Sequence, residues 1–117
     1  IHQATVTEAR ADYEGSITID SHLMASVGFQ EHEKVLVANF RNGERFETYV
    51  IPGAPGSGKI CVNGAATKLA GVGDQIIIMS FCLLTPEEAK KILLSRLTLK
   101  MRPSIICSRR KSSPCFA

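Results

Sequence analysis

Apolar and polar positions alternate with a period of two over several short stretches of this chain, the mark of half-buried strands. Residues 4–7 and 16–19 read as two such strands and 34–40 as a third. Asn42-Gly43 lies between two apolar runs, which signals a tight hairpin turn, and 45–51 is its return strand. On that strand Arg45, Glu47 and Tyr49 share one face, while Phe46, Thr48 and Val50 share the other. A loop rich in Pro and Gly spans 52–58, and 59–62 is again strand-like. Asn63-Gly64-Ala65-Ala66 interrupts it with small residues, where a backbone or a ligand can approach closely. A turn at 71–74 leads into the apolar run 75–84, continuous rather than alternating, which predicts a strand buried on both faces.

Two helices interrupt this pattern. Asp20 or Ser21 caps the first, which carries Leu23, Met24 and Val27 and stops at Gly28. Thr85, Pro86 and Glu88 supply the N-cap, first-turn proline and capping box of the second, predicted to reach Leu97. Many short strands with tight turns and few helices predict a mainly β fold, a small closed barrel. At 117 residues the chain is long enough for one domain with a modest core.

Composition narrows the function classes. No apolar run has the length of a membrane span, and the first residues lack a secretory pattern. Cys61, Cys82, Cys107 and Cys115 form no C-x-x-C pair, so neither a metal site nor a disulfide framework is indicated, and a reducing cytoplasm is the expected compartment. The opening Ile1, in place of Met, suggests trimming or omission. Charge is distributed unevenly. All eleven acidic residues lie at or before Glu88, whereas eight of the fourteen basic residues lie from Lys90 onward. Residues 92–117 therefore read as a divergent basic tail, disordered or frame-shifted. The rival function for such a tail is nucleic-acid binding by a non-enzymatic β-barrel.

The most conspicuous text motif, Gly53-Ala54-Pro55-Gly56-Ser57-Gly58-Lys59, fits a phosphate-binding P-loop only in part. That loop needs Ser or Thr next and then a helix; here Ile60 and a strand-like run follow, so nucleotide binding is rejected. His2, His22 and His32 have no metal-ligand spacing, and no Ser-His-Asp order is legible. More informative is Gly15-Ser16 at the start of a strand. Glycine has no Cβ to keep a nucleophile from its carbonyl, and the serine hydroxyl that follows can attack that carbonyl and turn the amide into an ester. Such dipeptides are common at strand starts, so this one gains weight from its company: Arg45, which can pair bidentately with a carboxylate, Thr48, Tyr49 and Asn63. Thr48 and Tyr49 point to opposite faces of an ideal strand. Either the strand is bulged, or the two serve neighbouring sites.

These residues stand within a longer match. Ile1-His2-Gln3-Ala4-Thr5-Val6-Thr7, Tyr13-Glu14-Gly15-Ser16, Ile19-Asp20, Asn42-Gly43-Glu44-Arg45-Phe46-Glu47-Thr48-Tyr49, Val62-Asn63-Gly64-Ala65-Ala66 and Val72-Gly73-Asp74 together resemble the pyruvoyl-dependent aspartate 1-decarboxylases. The resemblance runs from residue 1 to about residue 91, and it marks 1–91 as the barrel domain. It implies a double-psi β-barrel with short helices, self-cleavage between Gly15 and Ser16, and a covalent pyruvoyl group made from Ser16. The substrate would be L-aspartate and the products β-alanine and carbon dioxide, for pantothenate and coenzyme A synthesis. By the same resemblance Thr48 and Asn63 assist processing, and Thr48, Arg45, Gly64, Ala65 and Ala66 bind substrate, with Tyr49 as proton donor. A homotetramer with sites between subunits is implied, and some members need a helper protein to mature. The family has a short segment before the position of Ile1, with a lysine that receives the substrate carboxylate; without it, impaired activity is expected.

Overall fold

The computed structural model describes residues 1–91, together with the backbone of 95–100 and 106–111. Seven strands build one mixed sheet: β1 (Ala4–Thr5), β2 (Glu8–Arg10), β3 (Ser16–Asp20), β4 (Lys34–Asn39), β5 (Arg45–Gly53), β6 (Ile60–Asn63) and β7 (Gln75–Met79). Their spatial order is β1-β7-β4-β5-β3-β6-β2. β1 and β2 thus lie at opposite ends of the order, yet only Val6 and Thr7 separate them in sequence. Laid flat, seven strands would hold those ends about 29 Å apart at roughly 4.8 Å per spacing. Three residue steps reach only about 10 Å. The sheet must therefore curl until its ends meet. The linker closes the seam: the Val6 N–H donates to the Asp74 carbonyl at 2.9 Å and the Thr7 N–H to the Ile60 carbonyl at 2.8 Å. The fold is the mainly β, double-psi β-barrel with short helices that the resemblance implied.

Alternation fills the interior. Ile17 and Ile19 of β3, Val35 and Val37 of β4, Val50 of β5, Ile60 and Val62 of β6, and Ile76 and Ile78 of β7 are all buried, each contributing about 1.5–3 kcal/mol on leaving water. The same alternation turns Ser16, Thr18, Cys61 and Asn63 to the opposite side of their strands. Helix α1 (Ser21–Val27) follows β3 directly; the Asp20 carboxylate accepts from the His22 N–H, and Gly28 ends the helix at φ 79°. Both ends are as the sequence predicted.

Elsewhere the chain departs from expectation. β2 was not foreseen, because Glu8-Ala9-Arg10 is exposed and has no apolar face; its parallel pairing with β6 holds it in place. β7 stops at Met79, and only Ile76 and Ile78 are fully buried. The run 75–84 is therefore not a strand buried on both faces: Phe81, Leu83 and Leu84 are exposed. Helix α2 (Pro86–Ala89) has the predicted cap, with the Thr85 hydroxyl accepting from the Glu88 N–H at 3.2 Å, but it is a single turn. It does not reach Leu97. Leu97 and Leu99 alternate with Arg96, Thr98 and Lys100, and this segment is strand β8 (Ser95–Lys100), antiparallel to β9 (Ile106–Lys111). The rest of the expected tail, 92–94, 101–105 and 112–117, lies outside the described residues.

Candidate functional site

Ser16 opens β3 directly opposite Asn63, the last residue of β6, and the next same-face pair is Thr18 with Cys61. Four polar side chains therefore form a square on one face of an antiparallel ladder, with Ser16, Cys61 and Asn63 buried. The Asn63 amide occupies its centre. Its Nδ2 donates to Ser16 Oγ at 2.9 Å and to Thr18 Oγ1 at 3.0 Å, while its Oδ1 accepts from Cys61 Sγ at 3.2 Å. Ser16 Oγ in turn donates to the Glu14 carbonyl at 3.2 Å. The hydroxyl is thus held through both of its roles, its donor bond falling on the carbonyl one peptide upstream of the Gly15–Ser16 bond.

The steric constraint falls on a different glycine from the one the sequence emphasised. Gly15 has no left-handed φ, and a Cβ there would meet nothing within 4 Å. Gly64 follows Asn63 at φ +71°, and a Cβ on it would lie 2.8 Å from Gly15 Cα, 2.9 Å from Gly15 N and 3.0 Å from the Tyr13 carbonyl oxygen. The break at Asn63-Gly64-Ala65-Ala66 is where one backbone closes on another, as its small residues predicted. Gly64 opens a 3₁₀ turn (Gly64–Lys68) in which Ala65 is exposed and Ala66 packs partly on the core. The structure thus brings Gly15, Ser16, Asn63 and Gly64 together.

Arg45, Thr48 and Tyr49 come from the strand next to β3 and are not bonded into that cluster. All lie on β5, and no side-chain hydrogen bond among the described residues joins them to Ser16 or Asn63. The β4–β5 register runs unbroken from Lys34–Tyr49 and Val35–Thr48 to Ala38–Arg45. No bulge brings Thr48 and Tyr49 to one side. β5 also runs parallel to β3, with Val50 beside Ile17. Thr48 consequently shares the face of the buried Val50, and Tyr49 shares the face of Ser16. Arg45 is exposed, and the Tyr49 ring meets His32 edge to face at 6.1 Å. A shallow hollow of about 230 Å³ lies on the β4–β5 surface, lined by Lys34, Val35, Leu36, Glu47 and Phe81, none of them an expected site residue.

Two buried carboxylates hold the surrounding loops. Asp20 Oδ1 accepts from the N–H groups of His22 (2.9 Å) and Gly56 (3.0 Å), and Oδ2 from Gly58 (2.8 Å). Burial works to raise its pKa, but the amides of Gly58, His22 and Gly56 together outweigh that and hold it below the ordinary value. The loop that imitates a P-loop therefore spends its amides on an internal carboxylate, and strand β6 follows it where a phosphate site needs a helix. Asp74 accepts from Arg41 Nε (2.8 Å), Asn39 Nδ2 (2.8 Å) and the Gly71 N–H (3.0 Å). The Arg41 hydrogen bond, then those of Gly71 and Asn39, hold its carboxyl well below the usual carboxylate range.

A profile of the aspartate decarboxylase family matches residues 1–105. The chain belongs to the aspartate decarboxylase family. Among its relatives, the aspartate 1-decarboxylase of Caldicellulosiruptor bescii is 66% identical over 88 residues, covering 75% of this chain and 69% of the relative. That of Caldicellulosiruptor saccharolyticus is 64% identical over 90 residues (77% and 70%), and that of Clostridium acetobutylicum 58% over 91 residues (78% and 72%). Within this member of the aspartate decarboxylase family, sequence reasoning passed over Thr18 and Cys61. The signal was available: each stands two residues along a strand from an expected site residue, and that spacing puts both on the face of Ser16 and Asn63.

Proposed function

We propose that this chain is a pyruvoyl-dependent aspartate 1-decarboxylase, releasing carbon dioxide from L-aspartate to give β-alanine for pantothenate and coenzyme A, after cutting itself between Gly15 and Ser16. The observation that carries the reading is the Asn63 amide seated on Ser16 Oγ at a Gly-Ser bond against which Gly64 closes. In the first step Ser16 Oγ bonds to the Gly15 carbonyl carbon, the amide C–N bond breaks, and the hydroxyl proton ends on the freed Ser16 amine. Elimination across the Ser16 Cα–Cβ bond then expels the Gly15 carboxylate, and water replaces the nitrogen as ammonia, leaving a ketone. An N–H donor on Oγ favours its ionised form and so favours the attack.

The pyruvoyl group supplies an electron sink for the carbanion that decarboxylation leaves, which no ordinary side chain can delocalise. The chain's own residues do the rest. The Arg45 guanidinium pairs with a substrate carboxylate, Gly64, Ala65 and Ala66 wall the pocket beside residue 16, and the Tyr49 phenol delivers the proton to carbon. Thr48 assists processing and touches substrate. Thr48 and Tyr49 face opposite sides of an unbulged strand, which supports sites shared between subunits of a homotetramer. The exposed Phe81 and Leu83 are suited to such contacts. No helix among the described residues is long and apolar enough to cross a membrane, and we place the enzyme in the cytoplasm.

A denaturing gel of the purified chain tests the reading. Fragments 1–15 and 16–117, the larger refractory to Edman degradation, together with β-alanine formed from aspartate, are expected. Ser16→Ala should stay intact and inactive. An intact wild-type chain after prolonged warming would refute self-cleavage.

A further inference from the structure

A primary amide has two edges of nearly the same shape and opposite polarity, so a half-turn of the Asn63 side chain exchanges a donor for an acceptor at Ser16. We propose that Cys61 and Thr18 are positioning residues for the Asn63 amide, Thr18 fixing its place and Cys61 keeping its N–H edge, not its carbonyl edge, on the Ser16 hydroxyl; the inference rests on the self-cleavage reading above. In the observed orientation every group is matched. The two Nδ2 hydrogens meet two hydroxyl oxygens, Ser16 Oγ at 2.9 Å and Thr18 Oγ1 at 3.0 Å, and Oδ1 receives the Cys61 thiol at 3.2 Å. No buried side-chain nitrogen or oxygen among the described residues is left without a partner.

Turning the amide over takes Oδ1 away from the Cys61 S–H and leaves the Asn63 N–H edge only the weakly accepting sulfur, in a buried place. The thiol has little recourse, since the other acceptor near it, the Val62 carbonyl, is 4.0 Å away. Burial, with Glu8 nearby, pushes the Cys61 thiol up, so it stays protonated and a donor at neutral pH. The orientation decides the chemistry of Ser16. With the N–H edge on Oγ, negative charge on that oxygen is stabilised. With the carbonyl edge there, Oγ–H would be held as a donor to a group too weakly basic to take its proton. Thr18 works from the second hydrogen: its hydroxyl accepts the N–H that Ser16 does not use.

The test is the rate at which the freshly purified full chain cuts itself at neutral pH, followed by denaturing gel and mass spectrometry, with melting temperature recorded for each variant. Cys61→Ala and Thr18→Val should each slow cleavage by about tenfold, the effect of one lost neutral hydrogen bond. Cys61→Ser, which puts a hydroxyl donor where the thiol was, and Thr18→Ser, which keeps the hydroxyl, should restore most of the rate. A purely structural role predicts instead that rate follows melting temperature, whatever the polarity of the replacement. The slow variants should also recover toward the wild-type rate as pH rises, because ionisation of Oγ then needs less help. Wild-type rates in Cys61→Ala and Thr18→Val, or no rescue by the serine variants, would overturn the inference. The two residues are tested separately, so poor folding of one variant leaves the other pair to decide. Failure of the wild-type chain to cleave would instead overturn the self-cleavage reading, and this inference with it.

Discussion

Gly64→Ala isolates the closure of one backbone on another at the Gly-Ser bond. At φ +71° a side chain costs about 1–2 kcal/mol from its own backbone. Its Cβ would also lie 2.8 Å from Gly15 Cα and 2.9 Å from Gly15 N. Both are backbone atoms, so relief requires moving the chain at 13–15, an overpacking cost of about 1–3 kcal/mol. The expected loss is about 2–5 kcal/mol, against a total stability of roughly 5–15 kcal/mol for a domain of this kind. Gly15→Ala is the control, since its Cβ meets nothing within 4 Å and should change stability by no more than about 0.5 kcal/mol. Urea unfolding at fixed protein concentration, with both substitutions placed in a Ser16→Ala chain so that neither is cleaved, measures the difference. With Ser16 restored, Gly64→Ala should also slow processing by about a hundredfold, as a displacement of roughly 1 Å at a reacting centre does. Equal stabilities for the two variants, or normal cleavage by Gly64→Ala, would refute the steric argument.

Tyr49→Phe should cleave at the wild-type rate yet form β-alanine about a hundredfold more slowly or worse, the usual loss of a general acid; full activity would remove Tyr49 from that role. The Asp74 pKa is lowered on folding, so its contribution is complete above its unfolded value near roughly pH 4 and fades as pH falls below it. Asp74→Ala should accordingly cost about 1.5–3 kcal/mol at pH 7 and only modestly less at pH 3, where the folded carboxyl is still ionised, measured by urea unfolding across that range. Asp20→Ala should speed hydrogen exchange at the Gly56 and Gly58 amides, which lose their acceptor, and cost about 0.5–2 kcal/mol through the helix cap.

Local signals carried most of the barrel. Asn42-Gly43, the Asp20 cap, Gly28 and the alternation in β3, β4 and β5 each specify geometry through their own few residues. The clearest failure had its deciding partner distant in sequence. β2 is a strand because β6 pairs with it, and nothing in Glu8-Ala9-Arg10 could say so. The apolar stretch 80–84 reads as part of a buried strand, though none of the described residues covers it and Phe81 and Leu83 stand exposed. Past the Thr85 cap, the capping signals outweighed the period-two pattern that places Ser95–Lys100 in a strand.

The site shows the same division between residue types and their placement. Ser16 and Asn63 were legible separately, but their contact depends on the antiparallel register of β3 with β6. Once that register is known, Thr18 and Cys61 follow by counting two residues along each strand. The loop at 53–59 shows the converse. Its glycines suit anion binding, and the anion it holds is Asp20, which caps α1 through the same carboxylate. Because Asp20 also ends β3, the strand begins at Ser16 and finishes on the residue that fastens this loop. The glycine loop therefore has a structural part at the far end of the strand that Ser16 opens, and needs no nucleotide for it.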